Sequence, residues 1–404
     1  MSNNTQPEIR FPGFTEDWEE RKLNELAEFN PKSDLPERFE YVDLESVVGT
    51  ELVGHRTENR YSAPSRAQRL AKKNDVFYQT VRPYQKNNYL FDLPYDNYVF
   101  STGYAQMRPI GNGYFLLTLI QEEKFVNRVL ERSTGTSYPA INSNDLAKLP
   151  VKVPADIQEQ QKVGTFFKQI DNTITLHQRK LDLLKETKKG FLQKMFPKNG
   201  AKVPEIRFPG FTEAWEERKL ETLFEKGGSG GTPKSTNPDY YRGDIPFLGI
   251  SDISNSNGYI KKTEKSITLE GLNNSAAWVV PKGAISLAMY ASVGKLAILN
   301  IDVATSQAFY NMVFNDDRLR DFVYQRLSMA NDLGEWIKLI STGTQANLNA
   351  DKVKNFVIQL PSNIEEIGKI GSFLNQIDNT IILHQRKLDL LKETKKGFLQ
   401  KMFV

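Results

Sequence analysis

The chain of 404 residues has no cysteine and only three histidines. The absence of cysteine excludes disulfides and thiolate metal sites, and with two of the histidines in a helical repeat an imidazole cluster is not expected. No apolar run approaches the ~20 residues needed to cross a bilayer. The polar start, MSNNTQPEIR, lacks the apolar stretch of a secretion signal. We therefore expect a soluble cytoplasmic protein without a membrane partner.

Net positive charge is confined to two segments. Residues 169–198 hold seven basic against three acidic residues, and residues 376–404 hold six against three. The rest of the chain holds 40 basic against 43 acidic residues, within a net charge of +4. A basic helix face is either solvated or directed at nucleic acid or an acidic partner, and composition leaves both readings open. A nonspecific DNA coat is disfavoured, because the remainder is not basic.

One long segment occurs twice, at residues 169–196 and 376–403, with a single difference between Thr175 and Ile382. Its apolar residues recur at alternating gaps of three and four, which is the seam pattern of a coiled coil. We predict that the two helices pair and dock partners through Ile170, Ile174, His177, Leu181, Leu184, Lys188, Ile377, Ile381, His384, Leu388, Leu391 and Lys395.

The orientation of this pair follows from its charged seam positions. A parallel pair in register would place Lys188 against Lys395, and like charges in contact cost stability. We therefore predict an antiparallel pair, with the two halves of the chain related by a pseudo-twofold axis. The predicted register sets Ile170 beside Met402, so that His177 meets Lys395 and Lys188 meets His384.

A second duplication, at residues 7–23 and 204–220, precedes each half with one difference. The sequence Phe-Pro-Gly-Phe is typical of a turn. A short helix bearing Trp18 or Trp215 should follow, capped by Thr15 in the first copy. We interpret the segment as a packing anchor that seats each half on its long helix.

The regions between the duplicated ends have diverged and mix short β-rich runs with helical patterns. They predict an α+β fold with two globular domains separated by the two long helices. The predicted boundaries are 1–156 for the first anchor and domain, 157–203 for the first helix and linker, 204–363 for the second anchor and domain, and 364–404 for the second helix. Capping boxes of Asp156 with Glu159 and Ser362 with Glu365 should start the helices.

No catalytic constellation emerges from the sequence. Residues 237–240, Asn-Pro-Asp-Tyr, look like the adenine-holding Asn-Pro-Pro-Tyr motif of amino-methyltransferases but lack its second proline. The glycine-rich residues 227–231 lack the lysine of a phosphate loop. Glu122 and Glu123 have no partner aspartate at nuclease spacing, and His55 has no nucleophile placed to work with it. No catalytic residue and no metal site are predicted, while a free-standing DNA methyltransferase or nuclease remains an alternative.

Binding chemistry is better represented than catalysis in both domains. Guanidinium, amide, hydroxyl and aromatic groups lie close together in sequence, and such groups read base edges and hold phosphates. The candidate DNA-binding residues are Arg66, Arg69, Gln79, Arg82, Tyr84 and Lys86 in the first domain, and Thr232, Lys234, Tyr290, Ser292, Lys295, Ser306, Gln307 and Gln345 in the second. A coiled-coil scaffold whose heads bind carbohydrate or protein is the other alternative.

Four segments together resemble the specificity subunits of type I restriction-modification enzymes. They are FPGFTEDWEERKL at the head of each half, GGTPKSTNPDYYRGDIPFLGISDI, the repeated STGT, and the IDNTI-LHQRKLDLLKETKKGFLQKMF helices. The resemblance covers essentially the whole chain in its order of parts. It departs at the start of the second helix, where Glu365-Glu366-Ile367 stands in place of Gln158-Glu159-Gln160.

The resemblance implies a recognition subunit that is not itself an enzyme. Two target-recognition domains would each read one half of a bipartite, asymmetric site in double-stranded DNA, with the helices as a spacer of roughly 60 Å. Two modification subunits would dock on the helices and methylate adenine, and restriction subunits would join the complex. The resemblance places S-adenosylmethionine, ATP and Mg in those partners and no cofactor in this chain.

Overall fold

The computed structural model describes residues 5–198, 200–340 and 348–403. It divides into two units, Met1–Gln178 with Lys387–Val404, and Arg179–Arg386. Within the described part of the chain, no helix combines the length and apolar character needed to cross a membrane.

The secondary structure follows the chain in two similar series. The strands are β1 (Glu19–Lys22), β2 (Ala27–Phe29), β3 (Arg38–Val42), β4 (Val47–Val48), β5 (Glu51–Leu52), β6 (Arg56–Asn59), β7 (Ala67–Leu70), β8 (Val76–Gln79), β9 (Tyr89–Leu90), β10 (Tyr98–Ser101), β11 (Tyr104–Pro109), β12 (Pro150–Val153), β13 (Glu216–Lys219), β14 (Lys226–Ser229), β15 (Tyr241–Leu248), β16 (Tyr259–Ile260), β17 (Lys265–Ile267), β18 (Val279–Val280), β19 (Ile285–Ala288), β20 (Leu296–Leu299), β21 (Val303–Thr305), β22 (Phe309–Val313) and β23 (Val357–Leu360). The helices are α1 (Leu23–Leu26), α2 (Gly113–Gln121), α3 (Glu123–Glu131), α4 (Ser143–Ala147), α5 (Ile157–Met195), α6 (Ile250–Asn255), α7 (Leu269–Asn273), α8 (Asp317–Asp332), α9 (Glu335–Leu339), α10 (Ala350–Lys354) and α11 (Ile364–Met402), with short 3-10 turns at Pro83–Gln85, Leu220–Thr222 and Pro238–Tyr240.

The first unit contains two four-stranded sheets, ordered β6-β3-β10-β7 and β2-β11-β8-β9. Strands β3 and β10 are parallel, whereas their other neighbours are antiparallel. The stacked rings of Phe77 and Phe100, with centroids 3.7 Å apart, join the two sheets. A larger apolar core lies between β8, β11, α2, α3 and the start of α5.

The second unit repeats this arrangement in a diverged sequence. Its sheets are ordered β17-β15-β21-β18 and β14-β22-β19-β20-β16, and β15 pairs with β21 in parallel as β3 pairs with β10. The predicted α+β repeat is therefore confirmed, and it extends into regions where the sequence alone gave no register between the copies.

Residues 113–131 form two helices, α2 and α3, which the extended backbone of Glu122 (ψ 139°) separates. The helix predicted after the first anchor turn is wrong. Trp18 lies outside any helix and directly precedes β1, which pairs antiparallel with β12. The equivalent strand β13 pairs with β23 in the second unit. The four charged residues after each tryptophan, Glu-Glu-Arg-Lys, form a strand because β12 and β23 offer an edge for backbone pairing.

Each anchor packs on the end of a long helix, as the sequence suggests. In the first unit the buried Trp18 ring lies 5.8 Å from the Phe403 ring, and the Ile9 amide donates to the Lys401 carbonyl at 3.0 Å. In the second unit the Trp215 ring lies 6.0 Å from the Phe196 ring, and the Ile206 amide donates to the Lys194 carbonyl at 2.9 Å. Repeating both contacts explains why the anchor and the helix end are duplicated together.

A buried ion pair fixes each anchor to the start of a long helix. Arg10 donates two hydrogen bonds to Glu159, at 2.7 and 2.8 Å, and the Glu159 side chain is 1% exposed. Arg207 and Glu366 repeat this pair at 2.6 and 2.8 Å. The Glu159 carboxylate also accepts a 3.4 Å hydrogen bond from Trp18 Nε1.

The predicted capping box at the second helix is wrong in its details. Asn363, not Ser362, accepts the Glu365 amide hydrogen bond at 2.8 Å. The Ser362 hydroxyl donates instead to Glu213 at 2.9 Å. At the first helix Asp156 caps through the Gln158 amide at 2.7 Å, and Glu159 is engaged by Arg10.

The two long helices are antiparallel in each unit, as predicted. In the first unit Phe166 of α5 packs edge-on against Phe398 of α11 at 5.0 Å, and Asp171 pairs with Lys395 at 2.6 Å. Residue numbers therefore increase along α5 as those of the facing residues decrease along α11. In the second unit Phe191 packs on Phe373 at 4.9 Å.

The predicted register is wrong by about one heptad. It sets residue 398 opposite 174 and residue 395 opposite 177, whereas the structure gives Phe166 and Asp171, eight and six positions earlier. Lys188 likewise pairs with Asp378, at 2.6 Å, and not with His384. The lysine side chain is long and flexible enough to reach a carboxylate beside the seam. The ion pair neutralises both charges, and it therefore replaces the predicted contact with histidine.

Each domain also contacts the aspartate of this interhelical pair. In the first unit the Tyr114 hydroxyl of α2 donates to Asp171 at 2.6 Å, and burial is the main cause of the raised pKa of Tyr114. In the second unit Gln325 of α8 donates to Asp378 at 2.7 Å. The helix register and the seating of the domain therefore share one carboxylate in each unit.

Candidate nucleic-acid interface

The β2-β11-β8-β9 sheet of the first unit has one end against α5. Asn112, just after β11, lies so close to Gly164 that a Cβ there would stand 2.5 Å from the Asn112 Oδ1. Tyr114 then follows on α2 and bonds Asp171 of α5. The loops at the other end of β8 and β11 are therefore on the side away from the helix, where a large ligand has access.

Backbone hydrogen bonds bring those loops together. The Thr80 amide donates to the Gly103 carbonyl at 3.0 Å, and the Thr102 amide donates to the Arg66 carbonyl at 2.8 Å. The Ile141 amide donates in turn to the Thr80 carbonyl at 3.0 Å. We call this set of loops, residues 60–66, 80–88, 101–103 and 132–141, the first loop edge.

The first loop edge contains most of the predicted contact residues of the first domain. Arg66 and Tyr84 are exposed, and Arg82 is half-buried. Lys86 is held by Glu123 at 2.5 Å. Arg69 lies apart on β7, where its Nε is buried without a hydrogen-bond partner among the described residues, and burial lowers the pKa of Arg69.

Gln79 is not available to contact a base, contrary to its place among the candidates. It is 2% exposed, and its amide nitrogen donates to the Val81 carbonyl at 2.6 Å and to Gln85 Oε1 at 2.9 Å. The side chain holds the loop after β8 from beneath. The polar side chain of Gln79 stabilises the loop, and the sequence alone does not distinguish this role from contact with a base.

The second unit builds an equivalent loop edge from residues 230–236, 289–295 and 305–308. The Gly231 amide donates to the Thr305 carbonyl at 3.0 Å, and the Met289 amide donates to the Ala308 carbonyl at 2.8 Å. Across this edge the Thr232 hydroxyl donates to Gln307 Oε1 at 2.8 Å.

The remaining candidates of the second domain lie along this edge. Lys234 and Tyr290 are exposed, and Ser292 adopts the left-handed region with φ 64°. Lys295 donates to the Ser254 hydroxyl at 3.2 Å, and the Ser306 hydroxyl accepts from the Ala308 amide at 3.2 Å. Gln345 lies outside the described residues. The structure thus gathers the described candidates of this domain, and their contacts with DNA stay predictions.

Two motifs weighed for catalysis have local structural roles. The Asn237 side chain accepts the Asp239 amide hydrogen bond at 3.1 Å and caps its own turn. Residues 227–229 of the glycine-rich segment lie in edge strand β14, beside β22. A Cβ at Gly230 would stand 1.8 Å from the Thr305 carbonyl oxygen, so close strand packing accounts for this glycine.

Acidic groups do not gather into a metal site within the described ranges of the chain. Glu122 is buried at the break between α2 and α3, and burial raises the pKa of its carboxyl. Glu123, beside it, is exposed and paired with Lys86. The two carboxylates therefore serve the helix break and the first loop edge, respectively.

A family comparison decides what this duplicated architecture is. The sequence profile described as the type I restriction modification DNA specificity domain matches residues 15–186 and again residues 212–393. The chain belongs to the type I restriction-modification DNA specificity family. It is a specificity subunit with two specificity domains, each match running from the anchor through a recognition domain into a long helix.

Two proteins named as type I specificity subunits align with this chain over different lengths. The type I restriction enzyme HindI specificity subunit of Haemophilus influenzae is 22% identical over 430 residues, which cover 87% of this chain and 91% of that protein. The MjaIX specificity subunit of Methanocaldococcus jannaschii is 29% identical over 192 residues, covering 47% of this chain and 44% of that one.

Solved structures share the fold of this family member. The type I restriction-modification S subunit from M. genitalium aligns with a TM-score of 0.68 at 14% identity, covering 99% of both chains. A chain from a structure of complex assembly and conformational transition in a type I system aligns with a TM-score of 0.52 at 22% identity, covering 98% of both. Both agree with the predicted fold class.

The two loop edges of this chain also contain residues that the sequence did not single out as candidates. Ser101 accepts the Gly103 amide hydrogen bond at 3.2 Å, as Ser306 does for Ala308, which makes Thr102 the counterpart of the candidate Gln307. Tyr138 is 62% exposed on the first loop edge. The Ser-x-Gly/Ala turn after an equivalent strand was the sequence signal for Thr102, whereas Tyr138 had none.

Proposed function

We propose that this specificity subunit reads a bipartite, asymmetric site in double-stranded DNA, one half with each loop edge. The observation that carries the proposal is the pairing of one framework with two different loop edges. Strand order is equivalent in both domains, except that one sheet of the second domain has a fifth strand, β16, while the residues on the loops differ. Base readout depends on the side chains that loops present, so different loops on one framework should select different half-sites.

The two long helices set the spacing between the half-sites and dock two modification subunits. Leucine side chains support the docking role. From the Asp171–Lys395 pair, five positions along α5 and five back along α11 bring Leu176 opposite Leu390, which are 65% and 67% exposed. From the Lys188–Asp378 pair, five positions back along α5 and five forward along α11 bring Leu183 opposite Leu383, which are 67% and 63% exposed. Each unit thus carries one equivalent pair of exposed leucines, which suits two copies of one apolar partner.

Serine at all four leucines (L176S, L183S, L383S and L390S) should weaken binding of the modification subunits at least tenfold. Each buried leucine would lose roughly 1.5–3 kcal/mol of burial energy in the interface. Binding can be measured by titrating labelled modification subunit onto the full chain, with circular dichroism as a folding check. The matched control carries E186S and E393S, two exposed positions on the same helices. Equal affinity in both variants would exclude the leucine pairs as docking sites.

The chemistry of methylation and cleavage belongs to the partners in this proposal. Modification subunits would transfer the methyl group from S-adenosylmethionine to adenine, and restriction subunits would use ATP and Mg to move along DNA and cut it. This chain would supply recognition without catalysis, as a defence against foreign DNA. Its modest net charge fits a subunit whose partners help to hold the DNA backbone.

The direct test is to co-express the chain with its modification subunit and map methylated adenines by sequencing. The proposal predicts methylation at one bipartite, asymmetric sequence, and no methylation when the chain is omitted. Methylation by the purified chain alone would favour the enzyme alternative. Methylation that is independent of sequence in the full complex would contradict the recognition role.

A further inference from the structure

The turn after β8 on the first loop edge is held in an unfavourable backbone conformation. Arg82 and Lys86 flank the Pro83–Gln85 turn with φ of 55° and 56°, in the left-handed region. Residues other than glycine pay of order 1 kcal/mol to occupy this region. Such conformations persist only where surrounding contacts fix them, and they are frequent at binding sites.

Contacts on both sides fix this turn. The Arg82 amide donates to the Pro139 carbonyl at 2.7 Å, and Val81 forms a β-bridge with Ala140. Beneath the turn the buried Gln79 holds the Val81 carbonyl at 2.6 Å. The backbone at Arg82 is therefore tied to a neighbouring loop and to the core of its own domain.

The turn presents a stacked arginine at the surface. The Arg82 Cζ lies 4.3 Å from the centre of the Tyr138 ring, and Tyr138 itself is largely exposed. Stacking restricts the guanidinium plane but leaves its in-plane N–H donors free. Among the described residues, Arg82 forms no ion pair with a carboxylate, unlike Lys86 beside it. The result is an oriented edge of two N–H donors that has no carboxylate partner among the described residues of the domain.

We propose that Arg82, oriented by Tyr138, reads a guanine in the half-site of the first domain through hydrogen bonds to O6 and N7. This inference rests on the proposed function, because it requires that the first loop edge meets the major groove. An arginine with a fixed plane matches the two acceptors of guanine. A phosphate is also a bidentate acceptor, but it makes no demand for a braced backbone and a stacked ring, and the exposed Arg66 nearby suits that role.

The test uses the assembled methyltransferase complex and a DNA library randomised across both half-sites, read out by methylation sequencing. Arg82→Lys is the deciding variant, because it keeps the charge and loses the planar two-donor edge. R82K and R82A should lower the preference for guanine at one position of one half-site by between about tenfold and a hundredfold. Preferences in the other half-site should not change, which makes the second domain an internal control.

Tyr138 is tested as a positioning residue. Y138F keeps the ring and should keep the guanine preference, whereas Y138A should reduce it without changing which base is preferred. Arg38→Ala, at an exposed position of β3, is the matched arginine control.

Three results would overturn the inference. The first is a wild-type half-site without guanine. The second is R82K with unchanged base preferences, and the third is R82A that only increases the salt sensitivity of binding, which would assign Arg82 to a phosphate. If the wild-type complex showed no preference in either half-site, the proposed function itself would fail, and the two failures are thereby distinguished.

Discussion

Replacing Glu159 with alanine is expected to lower the free energy of unfolding by about 3–5 kcal/mol. The substitution leaves the Arg10 guanidinium, 13% exposed, without its carboxylate, and it removes the acceptor of Trp18 Nε1. A buried charge that has lost its partner cannot recover its hydration, so the cost far exceeds that of an exposed pair. The anchor should then release the start of α5.

Guanidinium-induced unfolding of the full chain, followed by circular dichroism, measures this effect. Glu366→Ala should cost slightly less than E159A, because Trp215 Nε1 has no hydrogen-bond partner among the described residues and so loses none. Glu19→Ala is the control, since its pair with Arg21 is more than 40% exposed on both sides and should be worth under about 1 kcal/mol. A loss for E159A no larger than that for E19A would show that the buried pair does not anchor the unit.

Reversing the charge of Asp378 is expected to destabilise the second unit by about 2–4 kcal/mol, between the values for exposed and buried pairs. Asp378→Lys places two ammonium groups together where Lys188 and Asp378 now lie 2.6 Å apart. It also removes the acceptor of the Gln325 hydrogen bond from α8. Helix pairing and the seating of the domain should therefore weaken together.

The exchanged double variant, K188D with D378K, should recover most of the loss that comes from charge repulsion. The part due to Gln325 should remain, because a lysine cannot accept its hydrogen bond. The free energies of unfolding of the wild type, the two single variants and the double variant together give the coupling energy. A double variant no more stable than D378K would mean that the Lys188–Asp378 contact does not set the helix pairing.

The duplicated parts of the fold could be predicted because they repeat simple patterns. The three-four spacing of apolar residues predicted both long helices, and the lysines of the seam predicted that the helices are antiparallel. The register could not be predicted from the seam residues alone, because the lysines of the seam pair with residues outside it. Asp171 and Asp378 lie beside that seam, and a lysine side chain is long enough to reach them.

The loop edges could be predicted only in outline. Guanidinium, amide, hydroxyl and aromatic groups close together in sequence pointed to Arg66, Arg82 and Gln307, which the structure places on the loop edges. Whether such a residue faces solvent depends on tertiary contacts, and Gln79 is turned inward by bonds to Val81 and Gln85. Tyr138 stacks on Arg82 across more than 50 residues of sequence, a pairing that local spacing does not encode.

Each domain is proposed to select one half-site independently of the other. Replacing one domain by a copy of the other is the most direct experiment. The two domain junctions are structurally equivalent. The Leu23 amide donates to the Leu149 carbonyl at 3.2 Å, and the Leu220 amide donates to the Phe356 carbonyl at 2.8 Å. Residues 24–148 can thus be replaced by a second copy of residues 221–355, and methylated adenines mapped with the modification subunit present. Methylation is expected at an inverted repeat of the second half-site. Continued methylation of the original asymmetric sequence would contradict this expectation.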